Sequence, residues 1–114
     1  MITSYTFGRM EVDGREYGKD LIILPDGTIH FPWWRKSGHR LSLEDLGPVL
    51  DAHPKILVVG QGAYGLMKPD TDLAEALSDR GITVKVLKTK KAVAEFNALL
   101  TKGEKTAACF HLTC

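Results

Sequence analysis

Ile56-Leu57-Val58-Val59-Gly60-Gln61-Gly62 is the stretch from which the fold is read. Its four consecutive apolar residues suit a strand covered on both faces, as in a parallel sheet, and the glycines after it suit an exit turn. Parallel neighbours need crossover connections, and the residues downstream supply them. Asp72 can cap a helix with Glu75 three residues on, Leu73, Ala76 and Leu77 form its inner stripe, and Gly81 stops it. Ile82, Val84 and Val86 then alternate as a strand. Thr89 can cap a second helix, with Ala92, Val93, Phe96, Leu99 and Leu100 on its apolar face and Gly103 at its end. Ala107-Ala108-Cys109-Phe110-His111-Leu112 is the last strand. The order predicts a parallel β-α-β-α-β unit with right-handed crossovers.

Upstream, the pattern changes to antiparallel β. Tyr5 to Val12 alternates around Gly8, which marks a bulge in this reading, and Asp13-Gly14 is a hairpin signal. Leu21-Ile22-Ile23-Leu24 ends at Pro25, and Asp26-Gly27 leads into Thr28-Ile29-His30-Phe31. These segments predict a three-stranded meander. Leu43, Leu46, Val49 and Leu50 recur at helical spacing, but Pro48 predicts a short or broken helix that restarts with the proline in its first turn. The expected architecture is one domain over residues 1–114. It is a three-layer α/β fold in which the N-terminal antiparallel meander packs with the parallel unit.

Composition excludes several classes of function. With 25% charged residues and a formal net charge of +1, no broad field draws the chain to nucleic acid or an acidic membrane. No apolar run approaches the 18 or so residues of a membrane span. Met1 to Tyr5 lacks the pattern of a signal peptide, so the expected compartment is the cytoplasm. His30, His39, His53 and His111 have no metal-ligand spacing, and Cys109 and Cys114 are badly spaced for a bridge or a metal. No metal, no cofactor and no catalytic residue is expected. The thiols read as a buried Cys109 and a tail Cys114, with redox sensing as the sharper alternative.

Two groups of residues are candidates for binding. Ligands of parallel α/β sheets lie beyond the carboxyl ends of the strands. Two such ends are Gly60-Gln61-Gly62-Ala63-Tyr64-Gly65 and Lys88-Thr89-Lys90-Lys91, expected on one edge of the sheet. Gly60, Gly62 and Gly65 match G-x-G-x-x-G. Against a dinucleotide, Leu66 to Thr71 separate them from the next helix, and no acidic residue ends the next strand. The reading left open is a small anionic or phosphate-bearing ligand held by Gly60, Gln61, Gly62, Tyr64, Lys88 and Thr89, against a turn and a solvated lysine cluster. The second group is Trp33, Trp34 and Arg35. Alternation turns one tryptophan to the core and leaves the other partly exposed, and an exposed aromatic beside an arginine is an interface anchor.

Taken in order, Ile56–Gly62, Gly81–Thr89, Ala92–Leu100 and Gly103–Ala108 resemble a small domain-of-unknown-function family. That family includes the adipogenesis-associated domain protein and a mitochondrial complex I assembly factor. Asp13-Gly14, Tyr17 and Trp34 are looser matches, and the run from Val86 to Ala108 is the most specific. The resemblance implies the three-layer fold, no established catalytic residue, and a role in assembly or regulation through protein contacts. Lys88 departs from the family's usual acidic residue before the threonine, which removes any inherited carboxylate role there. The mitochondrial role does not carry over, because the N-terminus is not of the transit type. The expected function is a non-catalytic protein-interaction or assembly-accessory module with a protein partner. The alternative is a small-molecule-binding domain or enzyme that uses the two loops.

Overall fold

The computed structural model describes residues 1–114. In chain order the strands are β1 (Ile2–Thr6), β2 (Arg9–Val12), β3 (Arg15–Tyr17), β4 (Leu21–Ile23), β5 (Ile29–His30) and β6 (Arg40–Leu41). A 3-10 turn at Leu43–Leu46 runs into helix α1 (Gly47–Ala52). Then come β7 (Ile56–Gln61), β8 (Lys68–Pro69), α2 (Leu73–Ser78), β9 (Thr83–Leu87), α3 (Thr89–Thr101) and β10 (Thr106–His111).

The central sheet has the order β5-β4-β10-β7-β9. Three of its strands, β10, β7 and β9, are parallel, as the sequence predicts. Leu57 and Val59 face one side with Ala107 and Cys109, while Val58 faces the other with Ala108 and Phe110. Period-2 alternation therefore divides one sheet between two cores. The chain leaves β7 for β9 on one side and then returns past β7 to β10. With right-handed crossovers these opposite movements put the two helices on opposite faces. Accordingly, α2 buries Leu73 and Leu77 in one core, with Leu46 and Val49. Helix α3 buries Ala92, Phe96 and Leu99 in the other, where Phe96 meets Phe110 edge to face at 6.0 Å.

The N-terminal strands depart from the expected meander. β1, β2 and β3 form a three-stranded antiparallel sheet of their own, whose Ile2, Met10, Val12 and Tyr17 pack in the α3 core. β4 and β5 leave it and extend the central sheet, β4 pairing antiparallel with β10. The cause is the continuous apolar run at Leu21-Ile22-Ile23. A strand apolar on both faces needs cover on both, and only the interior of a three-layer sheet supplies it. Gly8, read as a bulge, is instead the reversal between β1 and β2, at φ +77°. Pro48 sits in the first turn of α1, and the helix is broken ahead of it as expected.

Candidate functional site

Strands β7, β9 and β10 end at the same edge of the sheet, here called the carboxyl edge. Gln61 and Leu87 therefore leave side by side, and the loops that follow meet. Gly62 donates its amide to Thr89 Oγ1 at 2.8 Å, and Thr89 returns its amide to the Gly62 carbonyl at 3.2 Å. Thr89 Oγ1 also donates to the His111 carbonyl at 2.6 Å. Thr89 is the first residue of α3, not its cap: Lys88 holds the cap position, and the hydroxyl is drawn to the neighbouring strand ends. Asp72 does stand at the cap of α2, although its side chain makes no capping hydrogen bond.

The glycines of the first loop lie against the chain's own residues. A Cβ on Gly60 would stand 2.7 Å from the Phe110 ring, and one on Gly62 would stand 2.4 Å from the Cys114 backbone. Gln61 Nε2 donates to the Met67 carbonyl. Of the six residues read as a ligand cradle, Tyr64 and Lys88 are exposed with their polar ends unbonded, while Gln61 and Thr89 spend theirs inside the fold. The close approach that Gly62 permits is made by the segment Leu112–Cys114, which takes the amides of Gly8, Ala63 and Leu66 on its three carbonyls.

Next to this segment lies a buried polar cluster that the spacing of residues in the sequence does not reveal. The β4–β10 register places Asp20 beside His111, 91 residues apart in the chain. Asp20 Oδ2 accepts from His111 Nδ1 at 2.7 Å and from Arg35 Nη2 at 2.8 Å, and Oδ1 accepts from the Leu112 amide at 2.8 Å. A carboxylate only accepts, so Nδ1 carries the hydrogen and the imidazole's free nitrogen is Nε2. Burial alone would raise the pKa of Asp20. The His111 hydrogen bond, the Leu112 amide, the His111 charge and Arg35 together outweigh it and hold the carboxyl below its ordinary value.

An Asp–His pair is also the supporting half of a hydrolytic triad. Here His111 Nε2 is buried and bonded to no hydroxyl or thiol, and Asp20 ties the pair to Arg35 and to the Leu112 amide. The cluster braces the Trp33–Arg35 loop. Arg35 stacks over the Trp33 ring at 4.7 Å and donates Nε and Nη2 to the Gly38 carbonyl. Its side chain is only 5% exposed, so Arg35, read from the sequence as an interface candidate beside the exposed aromatic, is a buried strut. Trp33 is likewise withdrawn from the expected interface. It packs in the α2 core and donates Nε1 to the Asp45 carbonyl. Trp34 is 71% exposed, with Lys19 Nζ 5.2 Å from its ring centre. Beside it a cleft of about 270 Å³ is lined by Pro32, Trp33, Arg35, Lys19 and Thr113 among others. Across Thr113, Tyr64 lies 6.0 Å from Phe7, both exposed.

A family model described as a protein of unknown function, DUF498/DUF598, matches residues 2–111. The chain belongs to this family. Among solved structures, the DUF498/DUF598 fold seen here is similar to MT938, at 27% identity and TM-score 0.84, covering all of this chain and 98% of that one. It is equally similar in sequence to a conserved hypothetical protein, PH1505, from Pyrococcus horikoshii OT3, at 27% identity, TM-score 0.81 and coverage of 100% and 99%. A Bordetella pertussis protein described as an Mth938-like domain shares the fold at 18% identity and TM-score 0.75, covering 98% and 85%.

The thiols give a direct check on this geometry. Cys109 is fully buried in the central strand, and burial pushes its thiol pKa far up. Cys114 is half-buried beyond the strand. In native protein a thiol reagent is expected to modify Cys114 alone, and Cys109 only after unfolding. Two rapidly reacting thiols in the folded state would contradict this placement.

Proposed function

We propose that this domain is a non-catalytic protein-interaction or assembly-accessory module of the cytoplasm, meeting its partner with the carboxyl edge of the sheet. The observation that carries the reading is Trp34. A large aromatic side chain stands almost free in solvent, on a loop fixed from beneath by a buried ion pair. A rigid exposed aromatic loses little conformational freedom on binding and buries much area, the combination found at interface hot spots. Tyr64, Phe7 and Leu66 extend the apolar surface on the far side of Thr113. Likeness to the group that holds the adipogenesis-associated domain protein and the complex I assembly factor supports the assembly role. No helix is long and apolar enough to cross a membrane.

The test is Trp34→Ala in the full chain, measured against the partner that co-purifies from native cells. Affinity is expected to fall by about 30-fold or more, the scale of a hot-spot residue. Thermal stability should hold within about 0.5 kcal/mol, because the ring is outside the core. Undiminished binding by Trp34→Ala overturns the reading.

A further inference from the structure

We infer that the carboxyl edge takes an acidic segment of its protein partner, with one aromatic or aliphatic side chain entering the cleft beside Trp34. The inference rests on the interaction reading above and narrows it to a chemistry. The first reason is size. A cleft of about 270 Å³ has room for a single side chain of a longer segment.

The second reason is charge. Lys19 lies over Trp34 on one side of the apolar strip. On the other, Lys88 runs past Gly65 next to Tyr64 and Leu66, its Cγ 3.4 Å from where a Gly65 Cβ would stand. Neither lysine enters an ion pair, so both ammonium groups are free to meet a partner. The one carboxylate lining the cleft, Asp20, is already committed to His111, Arg35 and Leu112. Arg35 also lines the cleft, and its Nη1 is a buried donor with no acceptor. Arg35 is neutralised by Asp20, so the positive charge that no carboxylate of the chain pairs at this edge is that of Lys19 and Lys88. A carboxylate meets two free ammonium groups, and a basic segment meets repulsion. A nucleic acid is disfavoured because the chain's net charge is only +1.

Trp34 is itself the reporter, since Trp33 is buried. Three probes are titrated into the full chain while tryptophan emission is followed: a short glutamate-rich peptide with a central phenylalanine, its lysine-rich counterpart, and a thymidine oligonucleotide. The glutamate peptide is expected to shift emission to the blue and to bind more weakly as salt rises. Joint substitution Lys19→Glu and Lys88→Glu should weaken it about tenfold or more. Equal or tighter binding of the lysine peptide or the oligonucleotide overturns the inference, as does the absence of any shift at millimolar peptide. A dimer that is lost in Trp34→Ala would assign the edge to a second copy of the chain and overturn it as well. The native partner separates this inference from the broader reading. If its binding is lost in Trp34→Ala but unchanged by the charge reversal, only the acidic chemistry fails. If Trp34→Ala has no effect, the interaction surface fails too.

Discussion

Asp20→Ala is expected to cost about 3–5 kcal/mol of folding stability, read as a lower midpoint in denaturant unfolding. The loss exceeds that of an exposed ion pair because the partners stay behind. The Arg35 guanidinium, with a side chain 5% exposed, would keep its charge in the interior without a counter-ion. The His111 Nδ1–H and the Leu112 amide would lose their acceptor at the same time. Asp20→Asn keeps the size and removes the charge, and should fall between wild type and Asp20→Ala. It also isolates a pH dependence. The Asp20 carboxyl is held below the value of about 3.9 that it has when unfolded, so folding favours its ionised form. Its contribution is complete above about pH 4 and is lost as the pH falls through the folded value. Wild type should therefore lose stability on acidification in that window more steeply than Asp20→Asn. Parallel acid profiles for the two proteins would show that Asp20 is not held in this way.

Gly62→Ala is the second large effect expected, at about 2–5 kcal/mol. Gly62 lies at φ +97°, where a side chain is strained in any surroundings. The surroundings are also full. The new methyl would fall 2.4 Å from the Cys114 carbonyl carbon and 2.7 Å from the His111 ring, and a backbone segment cannot step aside as a lysine can. Gly65→Ala provides the contrast. Its φ is +71°, but its nearest neighbour is the flexible Lys88 side chain at 3.4 Å, so about 1–2 kcal/mol of backbone strain is the whole cost. Denaturant unfolding of both variants decides the matter. Equal losses would mean that packing against Leu112–Cys114 does not constrain Gly62.

Much of the fold is legible in hydrophobic period. The parallel strands, both crossover helices and the break ahead of Pro48 follow from which residues repeat at 2 and at 3.6. The membership of β4 and β5 is not legible in that way. Leu21-Ile22-Ile23 identifies a strand covered on both faces, but its partner β10 lies far along the chain, and turn signals report only on neighbours. The two tryptophans illustrate the same limit. Alternation separates a buried from an exposed ring, and only the fold decides that Trp33 goes in and Trp34 out. The Asp20–His111–Arg35 cluster is hidden for a different reason. Its members have no motif spacing, and strand register alone brings them together. One signal is present: Asp20 directly precedes a wholly apolar strand, where a carboxylate needs a partner nearby.

The position of β10 has a consequence for how the protein is made. The strand flanked by β4 and β7 is the last of the ten to leave the ribosome. At about 5–20 residues per second, β4 waits roughly 5–20 seconds for the residues that will pair with it. Throughout that delay Leu21–Ile23 and Ile56–Val59 are sticky and unshielded, and neither hydrophobic layer can close. The decisive step of folding thus waits on Thr106–His111, and a nascent chain stalled before Thr106 leaves β4 and β7 without the strand that joins them.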